Sequence, residues 1–195
     1  MRVVLPRTKM TKQTFMIKIN DLTFKPFLSE TKILEQIKSL SQKIEKDYRD
    51  KAPLLICVLK GSFMFTSEIV RNFNFDYEIA FVRVKSYDGT KSASEVKEFY
   101  GLDSDLKDRH IIILEDIVET GFTTHYLIGK MESEKPASIE IATLLFKPKQ
   151  LKYSDLPIKY VGFDISNEFV VGFGLDYNEK GRNLRDIYQL NSDLS

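Results

Sequence analysis

The sequence predicts an α/β fold in which a parallel central sheet is flanked by helices. Three observations carry that expectation. An apolar run covers Leu54–Leu59 and another, with almost no polar interruption, covers His110–Leu114, as strands buried on both faces require. Each run is followed by a turn and then by a helix-compatible stretch. Strands alternating with helices in this way assemble into parallel sheets.

Ser29 is placed to cap a first helix whose apolar positions Ile33, Leu34, Ile37, Leu40 and Ile44 recur at helical spacing, with Lys and Glu on the other face. After Pro53 comes the strand Leu54–Leu59, a tight turn at Lys60-Gly61-Ser62, and a second helix carrying Phe63, Met64, Phe65, Ile69 and Val70. A strand is expected from about Tyr77 to Val84. Residues 85 to 105 are polar, rich in Lys, Ser, Asp and Gly, and read as a mobile loop. The strand His110–Leu114 leads through Glu115-Asp116 and Thr120-Gly121 into a helix ending near Glu134, and a further strand spans Ser138–Phe146. Beyond Lys147, two strand candidates, Lys159–Ile165 and Glu168–Phe173, precede a tail rich in Gly, Asn and Arg. Residues 1 to about 25 receive no element, and no internal repeat or interdomain linker interrupts the chain.

With 195 residues, 43% hydrophobic and 29% charged, the composition suits one globular domain. Lys and Arg total 29 against 28 for Asp and Glu, so the net charge gives no reason to expect nucleic acid or a membrane as partner. Phosphorylated small molecules, which need only local charge, stay open. The lone cysteine, Cys57, sits in an apolar run and reads as a buried small hydrophobe. No apolar run is long enough to span a bilayer and Met1–Pro6 lacks a signal-peptide core, which makes the cytoplasm the expected location. His110 and His125 have no cysteine or acid at ligand spacing and do not read as a metal pair.

The segment Ile111–Thr124 carries the chemistry, because three carboxylates and three threonines surround Gly121 where a buried strand gives way to a helix. In open parallel sheets ligands sit beyond the carboxyl ends of strands, and a helix start offers free N–H groups to an anion. Gly121 permits close backbone approach, and Thr120, Thr123 and Thr124 add hydroxyls, so Glu119–Thr124 suits one phosphate monoester. Glu115 and Asp116 would repel phosphate but suit ribose hydroxyls and a hydrated magnesium ion. On these residues alone, two acids that end a strand and a threonine that caps a helix remain an equal alternative. The segment has neither the Walker nor the dinucleotide glycine spacing.

The pattern of apolar strand, two acids, two aliphatics, an acid, Thr-Gly and a further Thr resembles the phosphoribosyl pyrophosphate signature of type I phosphoribosyltransferases. Leu59-Lys60-Gly61-Ser62-Phe63, Ser86-Tyr87, Lys147, Phe169-Val170-Val171-Gly172, Leu175–Glu179 and Arg182 follow in order and resemble the hypoxanthine-guanine branch. The resemblance covers about residues 53 to 190. It implies a single domain over residues 1–195, with a small hood contributed by about 1–30 and 165–195. It implies transfer of the phosphoribosyl group to a 6-oxopurine, Mg2+ arriving with the substrate, and a homodimer or homotetramer. A nucleotide-sensing regulator on the same fold is the alternative, disfavoured by near-neutral charge and the lack of room for a DNA-binding domain.

The resemblance also assigns roles. Lys60 and Gly61 would bind pyrophosphate, with an unusual peptide geometry at Leu59-Lys60. Ser86 and Tyr87 would close over the leaving group and exclude water. Lys147 would donate to the purine O6, Phe169 would stack on the ring and Val170 would offer backbone groups to its edge. Glu115, Asp116 and Asp176 would hold magnesium, and Arg182 would neutralise pyrophosphate. Glu119 would accept the purine N7 proton. The family's commoner acid there is aspartate, one methylene shorter, and Phe122 stands where many purine members carry lysine. When the resemblance is set aside, Lys60, Lys147, Asp176 and Arg182 have surface alternatives, Ser86 and Tyr87 read equally as an ordinary polar loop, and Phe169 reads more often as core.

Overall fold

The computed structural model describes residues 15–87, 95–101 and 105–192, with backbone alone at 85–87 and 95–100. The described chain opens with a hairpin of β1 (Ile17–Ile19) and β2 (Leu22–Leu28), followed by helix α1 (Glu30–Tyr48). Ser29 caps α1, its side chain accepting from the Lys32 N–H. Next come β3 (Leu54–Leu59), α2 (Phe63–Val70), β4 (Glu78–Tyr87), β5 (Glu95–Tyr100), β6 (His110–Val118), α3 (Phe122–Glu132), β7 (Ser138–Phe146) and β8 (Ile158–Asp164). Two short strands, β9 (Val170–Val171) and β10 (Ile187–Leu190), close the order.

The main sheet has the order β5-β4-β3-β6-β7-β8, with β4, β3, β6, β7 and β8 parallel and β5 antiparallel at the edge. The continuous apolar runs are explained by helices on both faces. Leu55, Ile112 and Leu114 pack with Ile33, Ile37, Leu40, Phe65 and Ile69 of α1 and α2. Leu54, Ile56, Ile111 and Ile113 pack with Leu127, Ile128 and Met131 of α3. Each such side chain, fully buried, contributes about 1.5–3 kcal/mol. From β3 the chain steps outward to β4 and returns to β6 on the other side of β3. That reversal opens a crevice at the carboxyl ends of β3 and β6, where open α/β sheets take their ligands.

Three expectations need correction. Glu115 and Asp116 do not follow a strand but lie within one, because β6 continues to Val118 in register with β7. The segment from 85 to 105 is not all loop, since β4 extends to Tyr87 and pairs antiparallel with β5. The candidate Glu168–Phe173 shrinks to Val170–Val171, because Gly172, Phe173 and Gly174 take φ of 105°, 50° and 102° and turn the backbone away. The stretch before residue 25 also has structure: β1 and β2 join β10 and β9 in a second, four-stranded sheet drawn from both chain ends. Its core is Ile19, Phe24 and Val171.

Candidate active site

A cavity of about 290 Å³ opens at the β3–β6 crevice, lined by Leu59, Gly61, Val84, Glu115, Asp116 and the continuous segment Ile117–Thr124. Its floor is the turn from β6 into α3. Gly121, with φ 77°, is the N-cap of α3 and makes no side-chain cap bond; the Phe122 N–H reaches the Thr120 hydroxyl at 3.4 Å, and the N–H groups that follow are those a helix start offers to an anion. The alternative in which Thr123 merely caps the helix does not hold, since Gly121 is the N-cap and Thr123 lines the cavity. The turn is braced from behind. The Lys152 N–H donates to the Thr120 carbonyl at 3.1 Å, and a Cβ at Gly121 would press on Leu151 and Leu156. Phe122 lies beside Tyr153, with ring centroids 6.5 Å apart.

The turn after β3 forms the opposite wall. The Leu59–Lys60 peptide is cis, the unusual geometry expected there. Ser62 is fully buried and donates to the Val58 carbonyl at 2.7 Å. Gly61 lies so close to Asp116 that a Cβ would overlap the carboxylate, and a Cβ at Gly174 would overlap the Gly61 carbonyl. The loop carrying Asp176 and Arg182 is thereby packed against the Lys60 turn. Arg182 pairs with Asp176 at 2.7 Å and donates to the Gly174 carbonyl at 2.9 Å. Its Nε is buried and lacks a partner among the described residues.

Glu179 joins the two basic groups and was not anticipated as a site residue. Its carboxylate takes the Lys60 ammonium at 2.8 Å and the Arg182 guanidinium at 3.3 Å. The signal was present in the Leu175–Glu179 segment, but an exposed glutamate reads as surface until its partners are known.

Glu119 lines the cavity and pairs with Lys147, which follows the end of β7 and is not itself a lining residue. Lys147 is 4% exposed whereas Glu119 is 46% exposed, so a buried cation meets a carboxylate at the cavity mouth. Phe169 is 40% exposed, set edge-on to Tyr177 at 5.8 Å. Val170 is buried and pairs with Gln189. Neither lines the cavity. Ser86 and Tyr87 end β4, and their side chains lie outside the described residues. A larger cleft of about 470 Å³, between Gly129, Glu132, Pro136 and Pro157, contains none of the expected residues.

The two acids of β6 form no ion pair among the described residues. Burial, then the neighbouring Asp116, pushes the Glu115 carboxyl well above the carboxylate range. Burial also pushes Asp116 up to about 6, opposed by backbone N–H groups of Ile117 and Asp116 and by Arg182, and reinforced by Asp176. Desolvation without a paired cation favours the neutral acid. Among the described residues no three His, Cys, Asp or Glu side chains converge as a metal cage. Magnesium needs no such cage, since it binds through one or two carboxylates together with phosphate oxygens and water. Glu115 and Asp116, buried without an ion-pair partner among the described residues, fit that demand.

Comparison with known proteins matches residues 26–178 to the phosphoribosyl transferase domain family. The hypoxanthine-guanine phosphoribosyltransferase of Streptococcus thermophilus is 41% identical over 171 residues, 87% of this chain and 94% of the relative. The hypoxanthine-guanine-xanthine phosphoribosyltransferase of Tritrichomonas foetus is 35% identical over 152 residues, 78% of this chain and 83% of the relative. A crystal structure of a hypoxanthine phosphoribosyltransferase from Staphylococcus aureus superposes with TM-score 0.79 at 38% identity, covering 90% of this chain and 95% of the other.

Proposed function

The chain belongs to the phosphoribosyl transferase family, and from that premise we propose that it is a purine salvage enzyme of the hypoxanthine-guanine type. It transfers the 5-phosphoribosyl group from phosphoribosyl pyrophosphate to N9 of hypoxanthine or guanine, giving IMP or GMP and pyrophosphate. One observation carries the reading: Glu119, paired with the buried Lys147, lines the same cavity as the phosphate-sized turn at the start of α3. The turn takes the sugar phosphate and the pair meets a polar heterocycle.

The α3 N-terminus with Thr120 and Thr123 holds the 5-phosphate, while Gly121 and Phe122 shape the turn. Glu115 and Asp116 accept from the ribose hydroxyls. Backbone groups at Lys60 and Gly61, with the side chains of Lys60 and Arg182, receive pyrophosphate once Glu179 releases them. Lys147 donates to O6, Phe169 offers a ring face and Val170 presents backbone groups to the purine edge. As the N9–C1 bond forms, the C1–oxygen bond to pyrophosphate breaks, and the N7 proton passes to Glu119. Ser86 and Tyr87 keep water from the electron-poor C1. Glu115, Asp116 and Asp176 would hold Mg2+, which offsets charge on the departing pyrophosphate when bound.

The enzyme is further proposed to act in the cytoplasm as a homodimer or homotetramer, with neither nucleic acid nor membrane as partner. Phe63, Ile79 and Phe81 expose apolar surface that suits such an assembly. Among the described residues no helix is long and apolar enough to cross a membrane.

The test is product formation from phosphoribosyl pyrophosphate and Mg2+ with hypoxanthine, guanine, xanthine and adenine, for wild type and Glu119→Gln. Nucleotide from hypoxanthine or guanine is expected, with kcat reduced about 10²–10⁴-fold in the variant. Nucleotide binding without product from any base would favour a sensor over an enzyme.

A further inference from the structure

The Glu119–Lys147 contact is more than a resting place for a proton acceptor. Lys147 is 4% exposed, and an ammonium in so dry a position is costly without a counter-charge. Glu119 supplies that counter-charge. Glu168 also feels Lys147, but it is exposed and bonded to Ser166. The backbone fixes the arrangement, because the Lys147 N–H donates to the Val118 carbonyl at 2.9 Å and Val118 is in register with Phe146. The two side chains thus leave neighbouring points on paired strands, although 28 positions separate them in sequence.

An ammonium has three N–H donors and a carboxylate several lone pairs. Among the described residues the contact with Glu119 occupies one N–H and leaves two for a ligand. A 6-oxopurine base presents an acceptor, O6, beside a donor, the N7–H. Side by side, the lysine donor and the carboxylate acceptor complement that edge while remaining bound to each other.

Resting on the proposed reaction, we infer that Glu119 also determines recognition at purine position 6, acting there as a positioning residue that holds the Lys147 ammonium against O6. The nucleotide product isolates this role. Once N9 carries ribose, N7 has a lone pair, and whatever contact Glu119 makes with it is the same in IMP as in an analogue that lacks O6. Any contribution of Glu119 that depends on O6 must therefore pass through Lys147.

The experiment compares the affinity of the full-length protein for IMP and for purine riboside 5′-monophosphate, which lacks O6, by titration calorimetry. Wild type, Glu119→Gln, Lys147→Gln and the double variant are measured. Glu119→Gln is expected to weaken IMP roughly tenfold, as loss of a charge-assisted hydrogen bond does, while the analogue without O6 is little affected. In the Lys147→Gln background the same change should leave the ratio of the two affinities unaltered. Glu119→Asp, which keeps the charge one methylene further back, should fall between and serves if the amide variant does not fold. An IMP-to-analogue ratio that Glu119→Gln leaves at the wild-type value, or raises, would overturn the inference. A wild type that makes no IMP at all would overturn instead the reaction on which it rests.

Discussion

The two ends of the central sheet treat charge in opposite ways. At the amino ends of β6, β7 and β8, Asp47 accepts from the Tyr160 hydroxyl at 2.7 Å and pairs with Lys159 at 3.2 Å. Lys51 and Lys159 lie over the Tyr48 ring at 4.9 and 5.6 Å, and His110 meets Ser138 at 2.8 Å. The Tyr160 hydroxyl, chiefly with Lys159, holds the Asp47 carboxyl below its ordinary value. At the carboxyl ends, Glu115 and Asp116 form no ion pair among the described residues, and burial drives both upward. Where stability is the only requirement the chain supplies the partner itself. Where a ligand must bind, the partner is left out, as functional sites with perturbed acids do.

Substitutions at the two ends should therefore separate catalysis from stability. The largest effect is expected from Gly61→Ala at the carboxyl end, since the added Cβ overlaps the Asp116 carboxylate. Displacing these groups by about an ångström should lower kcat/KM roughly 100-fold, with the thermal midpoint little changed. A collapse of stability with intact kinetics in the surviving fraction would break the contrast.

Tyr160→Phe should do the reverse, costing about 1 kcal/mol in denaturant unfolding and leaving KM for both substrates unchanged. Its pH dependence has a definite sign. Because the folded-state value of Asp47 lies below its ordinary 3.8, the stability it contributes is fully present above about pH 4 and is lost as pH falls through the folded value. The difference between wild type and Tyr160→Phe should shrink correspondingly in acid, and a constant difference would contradict it. The smallest effect belongs to Arg49→Ala. Its exposed pair with Glu45, four residues away at 2.6 Å, should be worth no more than about 0.5 kcal/mol.

Legibility of the fold followed burial. Leu54–Leu59 and His110–Leu114 announce themselves because both faces are covered, and α1 does so through its cap and apolar spacing. The resemblance implied a hood from both chain ends, but the strands β1 and β2 were not legible from periodicity because they are short and half-exposed and β2 contains Pro26. A signal existed: Ile17 and Ile19, then Leu22 and Phe24, flank an Asn20-Asp21 turn whose Asn20 has φ 54°, a pattern that favours a hairpin. In the site, the phosphate turn was readable because strand, glycine and helix are contiguous. The Glu119–Lys147 and Lys60–Glu179–Arg182 contacts were not, because they join residues brought together only by strand pairing and by the backbone turns at Gly172, Gly174 and Gly181.

The most direct measurement is simultaneous quantitation of IMP and pyrophosphate in one reaction containing the protein, Mg2+, phosphoribosyl pyrophosphate and hypoxanthine. Equal amounts of the two products, and no pyrophosphate when the base is omitted, are predicted for a transferase that shields C1 from water. Pyrophosphate release independent of the base, or no IMP from a protein that binds phosphoribosyl pyrophosphate, would contradict it.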